Sequence, residues 1–303
     1  MGIESLLCSA ELKKTIKNEL KNMKESGSYI FYGNDKKQLL EIALSFGKAL
    51  NCETYEDNFC DECESCKRMN SRTHGDLEIL NDENGIKIDA IRDLICKSAS
   101  SSYEGKNKIF ILEDVGKMKP TSSNALLKTI EEPGKGNYFF LLATSLNILP
   151  TIKSRCTIIR VPQLNYEELG VSKEVFEFFN GYVDDIKKYK EKKFDLNPVI
   201  NYKNIDLYLT EYYGNTSCLE NKIKIYNSLR YFVENIKWID NIDKLIFIEG
   251  LCRGAKDREN IFEILNYIGS LRNKTISIEK LLIAKNKLRL PVLLKGVLLE
   301  MFF

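Results

Sequence analysis

Two textures of apolar and polar residues divide the chain. In the first half, short apolar runs at 29–32, 77–80, 108–112, 138–143 and 157–161 alternate with longer stretches whose apolar residues recur every three or four positions. Such runs predict strands and such recurrence predicts amphipathic helices. The first run ends at Gly33, a strand-to-loop signal, and 38–50 carries Leu39, Ile42, Ala43, Phe46 and Leu50 at helical spacing. Residues 88–95 place Ile88, Ile91 and Ile95 on one helical face, and the run at 108–112 ends in Glu113-Asp114. A further helix, capped by Thr121 or Ser122, is expected to reach Glu132 and stop at Pro133-Gly134. Strands separated by helices predict a mostly parallel sheet covered on both faces, an α/β domain.

After Pro162 the strand signals vanish. Residues 163–215 are richer in charge and aromatics and read as short helices, with a lysine-rich stretch at Lys187, Lys188, Lys190, Lys192 and Lys193. That stretch is expected to be a solvated helix face, with contact to nucleic-acid phosphates or a partner as the alternative. From about Leu219 the chain reads as all-α. Ile223, Tyr226, Leu229, Val233 and Ile236 form one stripe, Ile261, Ile264, Leu265 and Ile268 a second, and Val292, Leu293, Val297, Leu298 and Met301 a third. Stripes of this kind are core or subunit-packing surface rather than a cofactor site.

Composition narrows the class. At 303 residues the chain is long for one core, so two or three domains are expected. A formal net charge of +2 excludes a strongly basic nucleic-acid binder but not a local basic face. No apolar run approaches the ~20 residues of a membrane helix, and residues 1–10 lack the apolar core of a secretory signal. Nine cysteines in that setting point to a reducing, cytoplasmic environment, where thiols serve metals or packing.

Four of the nine stand together. Cys52, Cys60, Cys63 and Cys66 are spaced C-x7-C-x2-C-x2-C, a closed four-thiolate set suited to tetrahedral Zn²⁺. The surrounding Glu53, Glu56, Asp57, Asp61, Glu62 and Glu64 offer too little apolar surface to order the segment alone, so a metal would supply the missing free energy. Free thiols, disulfides or a redox C-x-x-C pair are the alternatives. His74 lies downstream as a substitute ligand or, in the simpler reading, a packing residue. Cys8, Cys96, Cys156, Cys218 and Cys252 are scattered and read as buried small residues.

The strand–Gly–loop–helix at 29–50 sits where a phosphate-binding loop would. A working loop needs G-x4-G-K-[ST], in which backbone N–H groups close on phosphate, Lys neutralises charge and the hydroxyl holds Mg²⁺. Gly33 fills the first position, but Gln38, Leu39 and Leu40 replace the second glycine, the lysine and the hydroxyl. Lys36 and Lys37 fall at the wrong step. Glu113-Asp114 replaces the Asp-Glu order of an ATPase. ATP binding and hydrolysis by this chain are therefore not expected.

Several segments resemble one family: 52–66, 86–94 (IKIDAIRDL), 102–105 (SYEG), 111–119, 124–133 (NALLKTIEEP) and 150–156 (PTIKSRC). Together they resemble the delta-prime subunits of bacterial DNA polymerase III clamp loaders, with specific motifs over about 1–162 and a matching domain plan beyond. The missing phosphate-loop lysine favours delta-prime over the ATP-hydrolysing gamma/tau kind, which carries a similar four-cysteine module. The first cysteine gap is seven residues where the family usually has eight, and Gly75 stands where Pro is common.

The resemblance implies an AAA+ fold: an α/β domain (1–162) with a zinc insert (52–66), a helical lid (163–215) and a C-terminal helical collar (216–303). It implies a stator that does not hydrolyse ATP and is not an enzyme by itself. Such a stator sits in a hetero-pentamer with gamma/tau ATPase subunits and a delta subunit, loading a sliding clamp onto primer-template DNA. It further implies that the Ser154-Arg155-Cys156 motif offers Arg155 as an arginine finger to a neighbour's ATP, with Ser154 positioning it and Cys156 packed. By chemistry alone Arg155 would be a surface or intramolecular ion-pair arginine. Thr144 and Ser145 fall where such proteins place a polar sensor, here with no nucleotide to read. Lys87 and Arg92 are candidate DNA-phosphate contacts, with a solvated helix face as the simpler reading. A gamma/tau-type ATPase with a divergent loop and a zinc-bearing DNA-binding adaptor are the competing functions.

Overall fold

Among the described residues, the apolar runs of the first half form five strands, and every strand pairing is parallel. The computed structural model describes residues 2–22, 25–82, 85–192, 194–214, 218–255, 257–271 and 276–303. The first unit, Met1–Gly170, runs α1 (Ala10–Asn22), β1 (Gly27–Tyr32), α2 (Lys36–Asn51), α3 (Glu64–Asn70), β2 (Leu77–Leu80), α4 (Ile88–Ser98), β3 (Lys108–Leu112), α5 (Pro120–Glu131), β4 (Asn137–Ala143), α6 (Pro150–Lys153), β5 (Thr157–Arg160) and α7 (Tyr166–Leu169). The sheet order is β2-β3-β4-β1-β5.

Alternation along the central strands builds two cores. Phe31, Ile109, Ile111, Phe140 and Leu142 face α1, α2 and the cysteine module, where they pack with Ile16, Phe46, Phe59, Cys66 and Met69. Ile30, Phe110, Leu112, Phe139 and Leu141 face the other way, onto Ile91 and Leu94 of α4, Leu126 and Ile130 of α5, and Ile152 of α6. Because successive side chains of a strand point to opposite faces, a continuous apolar run marks a strand buried on both. Phe31, Phe46 and Phe140 meet at ring-centroid distances of 5.1–5.7 Å. Each fully buried Phe contributes about 1.5–3 kcal/mol of transfer free energy.

Helix α5 begins earlier than its polar residues suggest. Pro120 occupies the first turn and Lys119 the cap position without a side-chain cap, so neither Thr121 nor Ser122 caps the helix. Proline's fixed φ is already helical and its missing N–H is not needed there, which starts the helix without a capping hydroxyl.

The second unit, Val171–Phe303, is helical among the described residues. It comprises α8 (Lys173–Phe178), α9 (Val183–Lys192), α10 (Ile205–Gly214), α11 (Leu219–Asn235), α12 (Asn241–Gly254), α13 (Arg258–Ser270), α14 (Ile278–Lys287) and α15 (Leu294–Phe302). The first two stripes are buried, Ile223 through Ile236 and Ile261 through Ile268. The third is only partly so: Val297, Leu298 and Met301 are buried, but Leu293 caps α15 from outside and is 84% exposed. Gly250 and Gly254 lie one turn apart on α12, where a Cβ would come within 2.7 Å of Ile205 and 2.6 Å of Leu209 on α10. Only glycine admits that approach. Among the described residues no helix is long and apolar enough to cross a membrane.

One buried ion pair ties α9 to α11. Lys222 Nζ lies 2.5 Å from Asp185 Oδ2, with both side chains 8% exposed, and 3.6 Å from Glu263. The ammonium also faces the rings of Tyr182, Tyr212 and Tyr226. Burial opposes its charge, but the surrounding tyrosines, Asp185 and Glu263 outweigh that and hold its pKa well above the ordinary value. Lys222→Ala is expected to destabilise the second unit by about 3–5 kcal/mol, because it strands a buried carboxylate. The double replacement Lys222→Met with Asp185→Leu should recover most of that loss in urea unfolding. Equal losses for the single and double variants would contradict this assignment.

Candidate functional site

The cysteine module is built where α2 ends. Cys52 caps α2, Cys60 follows the acidic insert, Cys63 caps α3, and Cys66 lies in its first turn. All four sulfurs lie within 4.8 Å of one another. Cys52 Sγ is 3.8 Å from Cys60 Sγ, which is 4.0 Å from Cys66 Sγ. A tetrahedron of thiolates with bonds of about 2.3 Å separates its sulfurs by about 3.8 Å, whereas a disulfide needs about 2.05 Å. None of the nine cysteines is paired in a disulfide. Asp61 takes a left-handed backbone, φ 59°, directly after Cys60, which turns the chain so that the amides of Glu62 and Cys63 donate to Cys60 Sγ at 3.4 and 3.2 Å. Those amide bonds, led by the one from Cys63, pull the Cys60 thiol down to about 6, while burial pushes Cys66 up. The donor set fits a tetrahedral, thiophilic cation, so this cluster can hold a metal ion.

The module is anchored from two sides. Lys48 of α2 reaches back to Asp61 at 2.5 Å, its ammonium 4.0 Å from the centre of the Phe59 ring. His74 is not among the clustered ligands. It is 4% exposed, with Ser65 Oγ 3.2 Å from Nε2 and Nδ1 accepting from the Asp76 amide at 3.1 Å. Asp76 in turn accepts from the amides of Tyr103, Glu104 and Gly105 at 2.5–2.8 Å. Burial alone would raise Asp76, but these three donors win and hold its carboxyl below the usual range. Gly75 donates its N–H to Glu104, a bond that the proline common at this place could not make. SYEG thus becomes legible as a loop gripping the segment that follows the cysteines.

His74 carries a pH consequence. Burial holds its imidazole below the ordinary 6.5, against the opposing pull of Glu104 and Asp76. The unfolded chain therefore takes up the proton first. The resulting stability is complete above the unfolded pKa and is lost as pH falls towards the lower folded value. Melting temperature should decline as pH falls through and below the ordinary histidine value of about 6.5, and less steeply in His74→Gln. Parallel profiles for the two proteins would contradict this.

The degenerate loop sits at the carboxyl ends of β1, β3 and β4, where β1's neighbours in the sheet lie far from it in sequence, a switch point of the kind that positions ligands in α/β sheets. Asp35 caps α2, its carboxylate accepting from the amides of Lys37 and Gln38 at 3.0 and 3.2 Å. An internal anion thus takes donors that a phosphate loop would turn on its ligand. Gln38 is buried and donates from Nε2 to the Leu7 carbonyl at 3.0 Å, away from the crevice. Leu39 and Leu40 belong to the core. Gly33 has a local packing role, since a Cβ there would meet the Val161 carbonyl at 2.5 Å.

Across the crevice Lys36 Nζ pairs with Asp114 Oδ2 at 2.5 Å, with Lys117 3.6 Å from the same oxygen. Glu113 is raised by burial and by the charge of Asp114 beside it. The remaining cavity, lined by Lys36, Leu39, Glu113, Asp114, Leu142, Ala143 and Thr144, is about 10 Å³, the space of one water molecule.

Arg155 follows α6. Its Nε donates to Glu131 Oε2 at the end of α5, 2.7 Å away, and its Nη1 to the Thr151 carbonyl at 2.9 Å and Ser154 Oγ at 3.5 Å. The side chain is 29% exposed. This is the intramolecular ion pair that residue chemistry alone anticipates for Arg155. Ser154 itself donates to the Thr151 carbonyl at 3.1 Å. Cys156 packs against the second core and burial pushes its thiol up to about 12, as suits a packing residue. Thr144 and Ser145 are exposed after β4. Lys87, which caps α4, and Arg92, which bonds Asp89 at 3.2 Å, are both exposed. In α9, Lys190 and Lys192 are exposed, Lys187 is half-buried, and Lys188 pairs with Asp184 at 3.1 Å. Lys193 lies outside the described residues.

Sequence reading missed Asp35 and Glu131. Asp35 carried a local signal, an acidic residue just before a helical stripe. Glu131 lies in the NALLKTIEEP segment, but its meeting with Arg155, 24 residues on, carried no local signal.

A family model described as "DNA polymerase III, delta subunit" matches residues 8–165, just over half of the chain. The delta' subunit of Buchnera aphidicola (subspecies Schizaphis graminum) is 36% identical over 151 residues, covering 48% of this chain and 44% of that protein. The tau subunit of Bacillus subtilis is 32% identical over 155 residues, covering 50% of this chain and 28% of that one. The delta' subunit of Haemophilus influenzae is 32% identical over 126 residues, covering 41% and 38%. Each match spans less than half of the relative's length. A DNA polymerase III gamma subunit-related protein from Thermotoga maritima, solved by crystallography, superposes with a TM-score of 0.61 at 18% identity, covering 95% of this chain and 96% of that one. Its likeness is one of fold, the AAA+ clamp-loader architecture with a helical C-terminal region. On the family match and the delta' relatives together, the chain belongs to the DNA polymerase III delta-subunit family of clamp-loader proteins.

Proposed function

We propose that this chain is a clamp-loader stator. It leaves its own nucleotide position unused, holds a structural zinc ion on Cys52, Cys60, Cys63 and Cys66, and lends Arg155 to the triphosphate of a neighbouring gamma/tau ATPase. The observation that carries the first part is the occupied crevice: Asp35 caps the helix whose N–H groups would hold phosphate, and Leu39 is built into the core. Mg²⁺-triphosphate binding there would require breaking the Asp35 cap and the Lys36–Asp114 pair without gaining a lysine or a hydroxyl at the working positions. Arg155 suits the second part because its permanent charge and planar fork match phosphate oxygens.

The three-part division, an AAA+ domain at 1–162, a lid at 163–215 and a collar at 216–303, belongs to this reading. The collar would join this chain with gamma/tau and delta subunits into a hetero-pentamer, and Trp238, Ile242, Ile278 and Leu293, each at least 70% exposed, suit such assembly. The complex would load a sliding clamp onto primer-template DNA during replication, with Lys87 and Arg92 as phosphate contacts. As a replication protein the chain would work in the cytoplasm.

Equilibrium titration of the isolated chain with Mg²⁺-ATP tests the unused pocket. No saturable binding at millimolar nucleotide is expected. Stoichiometric binding with turnover would favour a gamma/tau-type ATPase with a divergent loop.

A further inference from the structure

We infer that Glu131 is a positioning residue for the arginine finger, an inference that rests on the function proposed for Arg155. Of the nitrogens of the guanidinium, Nε is fixed by Glu131 Oε2 at 2.7 Å and Nη1 by the Thr151 carbonyl at 2.9 Å and Ser154 Oγ at 3.5 Å. Among the described residues Nη2 has no partner. Two anchors on different nitrogens fix the plane of the fork as well as its place, and they leave one N–H edge for an external acceptor. An arginine on a bare surface would sample many rotamers. Here the ordering cost is met before the neighbour's nucleotide arrives, which is how preorganised charge is most effective in phosphoryl transfer.

Both anchors have secure footing. Glu131 is the last residue of α5, whose preceding residue Ile130 is fully buried, and Thr151 lies in α6, whose Ile152 is buried in the same core. The Ile130 carbonyl also accepts from Ser28 of β1 at 2.9 Å, which ties the end of α5 to the central sheet. The NALLKTIEEP and PTIKSRC segments, far apart in the chain, thereby form one device: the first supplies the carboxylate and the second the arginine. The partner of Glu131 is Arg155 itself, so its effect on a neighbour's nucleotide passes through that arginine.

The test is steady-state ATP turnover by the complex reconstituted with gamma/tau and delta subunits, clamp and primed DNA. It compares the wild-type chain with Arg155→Ala, Glu131→Ala and Glu131→Gln. Glu131→Ala should lower kcat by about 10–100-fold, the worth of a charged hydrogen bond, with little change in KM for ATP. Glu131→Gln keeps an acceptor for Nε and should restore most of the rate. The melting temperature of each variant chain should stay near wild type, since the pair is half-exposed. Loss with Arg155→Ala but unchanged kcat with Glu131→Ala would overturn the positioning role and leave the finger standing. Faster turnover in Glu131→Ala would overturn it also, by making the carboxylate a restraint. Unchanged turnover in Arg155→Ala would remove the finger itself and this inference with it.

Discussion

Arg155→Ala should leave this chain folded and cut ATP turnover of the assembled loader by about 10³–10⁵-fold, the range over which arginine fingers act. The expected size follows from where the guanidinium is spent. In the isolated chain its partner is Glu131, a side chain 55% exposed, and such pairs contribute little to stability. Against a triphosphate in a neighbour's site, the same charge would meet the negative charge that develops in the transition state, where solvent no longer screens it. Arg155→Lys should recover only a small part, because a point charge cannot reproduce two anchored N–H bonds and one free edge. Phosphate release in the presence of clamp and primed DNA is the measurement. Turnover equal to wild type would reject the finger.

Stripping the metal should be the most damaging change to the chain itself. Purified protein is expected to carry close to one zinc per chain, and a strong chelator or Cys66→Ala should remove it. Metal binding supplies roughly 10–16 kcal/mol in isolated zinc-finger peptides. In this chain part of that ordering is shared with the core, because Cys52, Phe59, Cys60, Cys66 and Met69 pack in the same cluster as Phe46 and Ile109. Loss of metal should therefore lower the melting temperature of the first unit and open residues 52–74 to amide exchange, while leaving the second unit unchanged. A full complement of cysteines with no bound metal, and no thermal response to chelator, would contradict the zinc assignment.

What was legible in the sequence follows from the range of the forces involved. The central strands β1, β3 and β4 could be read because burial on both faces demands unbroken apolar runs, as in Tyr138–Ala143 within β4. The cysteine cluster could be read because its ligands lie within fifteen residues of one another. The failed phosphate loop could be read from Gln38, Leu39 and Leu40, but not the way in which Asp35 and the Lys36–Asp114 pair fill its space. Helix α1 escaped notice because its lysines and glutamates obscure the stripe formed by Leu12, Ile16 and Leu20. The Asp76 cradle and the Glu131 anchor join residues 24 to 29 positions apart in the chain through a folded sheet, and no local pattern encodes such a meeting. Lys222 likewise sits in a helix that reads as ordinary charge and stripe until Asp185 is found beneath it.

The division of labour between an unused pocket and a donated arginine can be seen directly by cryo-electron microscopy of the assembled loader, frozen with ADP and beryllium fluoride. The expected map shows nucleotide in the neighbouring ATPase with the Arg155 guanidinium within about 3 Å of the fluoride cluster. It also shows the Asp35 carboxylate still seated on the first turn of its own helix. Nucleotide and magnesium lodged between Lys36 and Asp114 of this chain, with Arg155 turned away from every nucleotide, would contradict it.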